Sequence, residues 1–307
     1  IMVDLEYLKR INLVSIPRMQ QFLGTFMLGP NYNIFQKVDI VLENIENIPP
    51  GENVIFAMNH TDRFNYWPFQ YKLWRLKRYN WTTVWVKGKY YRNKWLGKGL
   101  DSCNLIPVPS LGYLIEEFYT QKYARRIDRD LYRRVRDAID GKDEGTEVHA
   151  ANIAETNRLF GGDFIVFIRD FYERIMAKVA DLTRIALFER GLSLIIFPEG
   201  TRGTQLGEGK TGIAQVALHT GKTVVPVGCN NSDQVYPDSL PFARTGRIVY
   251  RVGKPLSIAD RLRPFRIEEP FQLLSRSSQQ QYKEQFEGAT NVIMESINEL
   301  LDENYRR

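Results

Sequence analysis

The chain has 307 residues, 43% of them hydrophobic and 25% charged, and a formal net charge of +6. That composition is of an ordinary globular protein, long enough for one large α/β domain with or without appended helices. Its positive balance favours an anionic partner, such as nucleic acid, a phospholipid surface, or a phosphate-bearing substrate or carrier. Neither of the two cysteines, Cys103 and Cys229, lies in a CxxC pair, so no zinc site or disulfide framework is expected and a reducing compartment fits.

Residues 1–36 read as short amphipathic helices broken at Pro17 and at Gly29-Pro30. No signal-peptide layout is expected there. The stretch "INLVSIPRMQQFLGTFMLG" is apolar but interrupted by Pro17, Arg18, Gln20 and Gln21. A spanning helix needs roughly 20 mostly apolar residues, so this segment is expected to lie at a membrane surface or to pack on the core. "VDIVLENIENIPPGENVIFAMNH" reads as strand, Pro-Pro-Gly turn and strand, the second strand ending near His60. A helix follows Pro68, with Phe69, Leu73 and Leu76 at helical spacing. "WTTVWVKG" and "CNLIPVPS" are strands.

The run from 111 to 160 changes character. It is charged and helical, with Ile127, Leu131 and Val135 on one stripe and Arg125, Arg129, Arg133 and Arg136 on another. It reads as an insertion, closed by the solvated loop "DGKDEGTE". Three signals follow: a helix over 176–190 stopped by Gly191, the strand "LSLII" running into the turn "FPEGTRG", and the helix "GIAQVALHT" capped by Gly221. "TVVPVGCNN" and "RIVYRVGKPL" are strands, and a helix occupies the C-terminal run from about 279 to 305. The expected fold is therefore α/β. It is a single domain whose mixed, mostly parallel sheet is flanked by helices, with N-terminal amphipathic helices and a helical insertion. The segments are 1–36, the α/β domain at 37–260 with its insertion at about 111–160, and 261–307.

Two strand tips carry chemistry. His60 stands directly behind the apolar run "NVIFAM". A histidine there suits general-base work, because its pKa lies near neutrality and ligands of open α/β sheets bind beyond the carboxyl ends of the strands. The plain alternative is a hydrogen-bonded structural histidine. In "FPEGTRG", Pro198 ends the strand, Gly200 allows a tight turn, and Glu199 and Arg202 are displayed at the tip. Arg202 is a natural phosphate fork.

The two motifs, in this order and each behind an apolar strand, resemble the glycerolipid (lysophospholipid) acyltransferase superfamily, which includes the bacterial 1-acyl-glycerol-3-phosphate acyltransferases. Asn59, His60 and position 65 match the spacing of its Asn-His-x4-Asp motif, and Phe197 to Arg202 match its Phe-Pro-Glu-Gly-Thr-Arg motif throughout. "GKTGIA", with Lys210 and Gly212, and "VVPVG", with Val225, Pro226 and Val227, resemble later family features. The resemblance covers roughly residues 37 to 257. It implies that His60 takes a proton from an acceptor hydroxyl, which attacks an acyl thioester. It also implies that residue 65 orients the ring, that Glu199, Gly200, Thr201 and Arg202 bind the acceptor, and that Lys87 and Lys210 assist. Lys87 reads equally well as a solvated strand-end lysine.

The implied partners are acyl-CoA or an acyl carrier protein, a lysolipid acceptor such as lysophosphatidate, and an anionic membrane surface. No metal or redox cofactor and no nucleic acid are expected, and the implied place is peripheral, at the cytoplasmic face of a membrane. Tyr66, Trp67, Phe69, Tyr71 and Trp74 read as core or acyl-groove lining, because no nucleic-acid signature accompanies them.

Two departures stand out. Position 65 is Asn65, an amide that cannot supply the charge favouring imidazolium and whose NH2 end favours the wrong tautomer. Asp62 is near, but only two residues from His60. Three readings stay open: a natural variant with another orienting group, an impaired or non-catalytic lipid-binding relative, or a replacement that traps a ligand. If acid is the better partner, Asn65→Asp should raise kcat at least about tenfold. The second departure is "NLIPVPS", which ends at Ser110 where the family has an arginine. Either Arg125 substitutes, or the acceptor carries no glycerol phosphate. The arginine face of the insertion meets anionic lipid or an acidic carrier protein, or is simply solvated.

Overall fold

In the computed structural model the structure describes residues 2–307, without the side chains of residues 94–96. Seven strands form one sheet: β1 (Val38–Glu43), β2 (Ile55–Met58), β3 (Thr82–Lys87), β4 (Leu105–Val108), β5 (Ser193–Ile196), β6 (Val224–Asn230) and β7 (Gly246–Val252). The helices, in chain order, are α1 (Leu5–Lys9), α2 (Arg18–Leu23), α3 (Tyr66–Leu76), α4 (Lys94–Ser102), α5 (Leu111–Tyr123), α6 (Arg129–Asp140), α7 (Glu147–Phe160), α8 (Phe164–Arg184), α9 (Gly212–Thr220), α10 (Ser232–Val235), α11 (Arg276–Gln281) and α12 (Lys283–Asn298).

The strand order is β1-β7-β6-β2-β5-β3-β4. β2 runs parallel to both β5 and β6, β5 to β3, and β1 to β7; β6 and β7 are antiparallel. The sheet is thus mixed and mostly parallel, as the alternation of strand and helix in the sequence implies. β2, β5 and β6 are buried along their whole length. Strands covered on both faces read as continuous apolar runs, and "IFAM", "SLII" and "VVPVG" do so.

The chain divides into two compact units. The first comprises Asn12–Trp85, Leu100–Ile106 and Ala180–Arg307. Here α12 packs on β6, β2 and α9. Gly228 lets the chain just beyond α12 close on β6: a Cβ there would lie 2.6 Å from the Cβ of Leu300 and 2.7 Å from its carbonyl oxygen. The second, helical unit comprises Ile1–Ile11, Val86–Gly99 and Pro107–Val179, and contains the stretch expected as an insertion. Ser110, Asp128 and Thr146 cap α5, α6 and α7 by accepting main-chain N–H groups. Phe118 of α5 meets Phe164, Phe167 and Phe171 of α8 edge-on.

Three expectations need correction. Gly29-Pro30 does not break the N-terminal helix. From α2 the helical path continues through Gly24–Leu28 and Asn31–Phe35 in wide i→i+5 turns, the Gln36 N–H closing on the Asn31 carbonyl at 3.1 Å. Pro30 keeps helical angles, and the wider turns on either side relieve the usual clash of its ring with the preceding turn. The helix expected after Pro68 begins earlier, at Tyr66, because proline fits the first helical turn, where N–H groups have no helical partner. The helix expected at 176–190 starts twelve residues sooner, at Phe164, so α8 is one long helix leading into the wide turn Ile185–Glu189.

Candidate active site

The site is built in the first unit, where two parallel strands end together. Ala57 of β2 is opposite Ile196 of β5, so the residues equally far beyond them, His60 and Glu199, stand side by side. The His60 N–H donates to Glu199 Oε2 at 2.8 Å. Glu199 Oε1 accepts the Gly207 N–H at 2.8 Å. The carbonyl of His60 accepts the Gly203 N–H at 3.0 Å. The "FPEGTRG" turn thus holds the main chain of His60 at both its donor and its acceptor. Phe197 stacks on the imidazole, with centroids 4.2 Å apart and planes 22° from parallel.

Glu199 is buried, and burial pushes its carboxyl above the ordinary range while the Gly207 and His60 amides pull the other way. Both oxygens are engaged by main-chain N–H groups, so the side chain holds two loops together.

The imidazole is oriented by Asn65. Its Oδ1 lies 3.3 Å from His60 Nδ1, and its Nδ2 donates to the Asn59 carbonyl at 2.8 Å. With the NH2 group so committed, the carbonyl end faces the ring, which favours an N–H on Nδ1 and a lone pair on Nε2 in neutral His60. That is the tautomer a base needs; the wrong tautomer anticipated from an amide is not the one this network selects. Asn65 also stands at the N-cap of α3, yet makes no capping bond with its side chain, which is turned to the ring instead. It is fully buried, and its main-chain carbonyl accepts the Tyr250 hydroxyl at 2.6 Å. Asn59 bridges to β6 by two bonds, Nδ2 to the Cys229 carbonyl at 2.9 Å and Oδ1 from the Cys229 N–H at 2.7 Å.

Asp62 does not orient the ring. Its Oδ1 accepts the Phe64 N–H at 2.7 Å and its Oδ2 the Thr61 hydroxyl at 3.0 Å. It is buried, and desolvation raises its pKa against the effect of those bonds.

Beyond the clamp the turn opens to solvent. Gly200 has φ +64°, and a Cβ there would lie 3.2 Å from Lys210 Nζ and 3.3 Å from its Cδ and Cε. The absence of a side chain at 200 lets Lys210 lie across the turn. Thr201, Arg202 and Lys210 are exposed. The structure therefore brings His60, Asn65, Glu199, Gly200 and Lys210 together, with Thr201 and Arg202 on the same turn. Lys87 ends β3, is half-buried and belongs to the helical unit, as does the exposed Arg125. The holding roles of Gly203, Gly207 and Tyr250 had no signal in the sequence; that of Asn59 was signalled only by its place in the motif. Among the described residues no three His, Cys, Asp or Glu side chains are grouped as metal ligands.

A model of the Acyltransferase family matches residues 159–230, a stretch that includes β5, the turn, α9 and β6. No curated protein matches. Among solved structures, the crystal structure of the 1-acyl-sn-glycerophosphate (LPA) acyltransferase PlsC from Thermotoga maritima is similar at a TM-score of 0.40 and 16% identity, over 94% of this chain and 79% of that one. The family match supports an acyltransferase. With the motifs on β2 and β5, it supports the glycerolipid acyltransferase superfamily in particular.

Proposed function

We propose that the chain transfers a fatty acyl group from an acyl thioester, acyl-CoA or acyl carrier protein, to a hydroxyl of lysophosphatidate or a related lysolipid. The observation that carries this reading is the pairing of Asn65 Oδ1 with His60 Nδ1, which leaves Nε2 as the basic nitrogen at a strand tip beside an exposed arginine. His60 Nε2 takes the proton of the acceptor hydroxyl as its oxygen bonds to the thioester carbonyl carbon. The C–S bond then breaks, and the thiolate leaves with the proton that His60 returns. Arg202, with Thr201 and Lys210, binds the acceptor's phosphate. Asn65 stabilises the imidazolium by one neutral hydrogen bond, a weaker support than a carboxylate gives.

The chain works at a membrane surface. No helix among the described residues is long and apolar enough to cross a membrane. The helical path from α2 to Phe35 nevertheless exposes Phe22, Phe26, Ile34 and Phe35. Gln36 Oε1 accepts from the N–H and hydroxyl of Thr245, which joins that path to a loop exposing Leu240 and Phe242. Exposed apolar side chains gathered in this way suit insertion among lipid headgroups.

Asn65 also favours a second reading, a lipid-binding relative without turnover, since it removes the charge that stabilises His+. One assay separates the two. Thiol release from acyl-CoA and from acyl carrier protein is followed with lysophosphatidate, using native chain and His60→Ala, with circular dichroism as the control for folding. Release by the native chain and none by the folded variant is expected. No release by the native chain with either donor leaves the non-catalytic reading. Turnover by the variant removes His60 as base.

A further inference from the structure

The helical unit brings four helix ends together. The Tyr123 hydroxyl at the end of α5 donates to the Leu159 carbonyl at the end of α7, at 2.6 Å. Phe160 stacks on Phe164, the first residue of α8, with centroids 3.9 Å apart. The loop 124–128 carries the chain from α5 into α6. This end of the unit therefore holds the cations Lys122, Arg125, Arg126, Arg129, Arg133 and Arg158, all exposed, against the carboxylates Asp128, Asp130 and Asp163. Asp128 Oδ1 is occupied in capping α6, accepting the N–H groups of Asp130 and Leu131.

The contrast with the next arginines along α6 is informative. Arg134 forms an ion pair with Glu155, and Arg136 with Asp140. Among the described residues, none of Arg125, Arg126, Arg129 and Arg133 lies within ion-pair distance of a carboxylate. Four long cationic side chains left unpaired at one end, in a unit that pairs Arg92, Arg134, Arg136 and Arg174 with carboxylates, mark a surface for an anionic partner. The same end exposes Val166 and Phe167, and Phe167 packs against Phe118 one turn from Lys122. Cations above an apolar and aromatic tip match a bilayer interface, where guanidinium groups reach phosphates and the tip enters the headgroup layer.

We infer that this end of the helical unit is a docking surface for anionic phospholipid, a second membrane contact besides the apolar N-terminal path. It rests on the membrane-surface part of the reading above, not on catalysis.

Co-sedimentation with phosphatidylcholine vesicles, with and without phosphatidylglycerol, tests it. The variants are R125E/R126E/R129E/R133E and, as a control of similar charge change in the other unit, K254E/R261E/R263E. The four-site variant should lose about a hundredfold in partitioning to phosphatidylglycerol vesicles, a few-fold per cation, and the control should retain most binding. Native-level vesicle binding by the four-site variant overturns the inference, as does equal loss in the control, which would mean that net charge alone acts. If the four-site variant binds vesicles normally but needs more acyl carrier protein for turnover, the surface docks an acidic protein and the lipid assignment is wrong. Absent thioester turnover with intact, patch-dependent vesicle binding would sink the catalytic reading and leave this inference standing.

Discussion

Asn65 turns its carbonyl oxygen, not its amide nitrogen, toward Nδ1 of His60, because the nitrogen is held 2.8 Å from the Asn59 carbonyl. The amide is therefore built into the site on both sides. The gain expected from Asn65→Asp on the sequence alone has to be set against this.

In Asn65→Asp a carboxylate oxygen would replace the Nδ2 donor and face the Asn59 carbonyl in a fully buried place. Losing that bond should cost roughly 1–3 kcal/mol of stability. The new charge would also raise the pKa of His60. A base acts when neutral, so the acid limb of the kcat profile should move to higher pH. We expect a lower Tm and no gain in kcat at neutral pH, measured by thermal melts and by rates across pH. A tenfold gain with Tm unchanged would show that the pocket accepts acid and that the amide is a handicap.

Replacing Glu199 with Ala removes the acceptor of two main-chain N–H groups. Bonds to an ionised group are each worth about 1.5–3 kcal/mol, so a Tm loss of several degrees should accompany a fall in kcat. Acceptor KM should change little. A raised acceptor KM with native Tm and kcat would return Glu199 to the role of direct ligand.

Asp62 is buried without a cation among its bonding partners, and desolvation raises its pKa. The sign follows from linkage: between the unfolded and folded pKa values the folded state binds more protons, so charging Asp62 costs stability as pH rises. That cost is complete above the folded pKa and vanishes below about 4, near its unfolded value. Asp62→Asn keeps an acceptor for the Phe64 N–H. It should melt above the native chain at pH 8, the gap closing toward pH 4. A lower melting temperature at pH 8 would mean that the ionised form is needed.

Arg202→Ala should raise acceptor KM at least about tenfold for a phosphate-bearing lysolipid, as expected for losing a charge-assisted hydrogen bond. The thioester KM should stay the same. Steady-state kinetics at fixed donor decides this. An unchanged acceptor KM would make the arginine a surface residue, and a non-phosphate acceptor would become the better choice.

The sheet was legible because its central strands are buried on both faces and leave unbroken apolar runs, and because Gly221 stops α9 with φ +67°. The positions of His60 and the 197–203 turn were legible for the same reason: apolar runs fix where strands end. The bonds between the turns were not. Gly203 and Gly207 act through main-chain N–H groups, which leave no trace in residue identity. The direction of the Asn65 amide depends on the Asn59 carbonyl, a backbone atom. Gly29-Pro30 read as a break because local propensity assumes regular turns, and the wide turns around Pro30 are set by packing. Gly24, for example, lies so close to Trp74 that a Cβ there would be 2.9 Å from the indole.

The two main-chain bonds of His60 to the turn have a mechanical consequence. The imidazole and the arginine-bearing turn are sections of one stiff body, because Glu199 and Gly203 grip the histidine's own peptide groups on either side of its Cα. Separating these two parts would break both bonds, so, with His60 as the proposed base and Arg202 as the proposed phosphate ligand, the span between their main-chain positions would act as a fixed ruler. Acceptors would then be sorted by how many atoms separate their phosphate from their free hydroxyl, and a headgroup lengthened by one carbon would be turned away by geometry rather than by affinity.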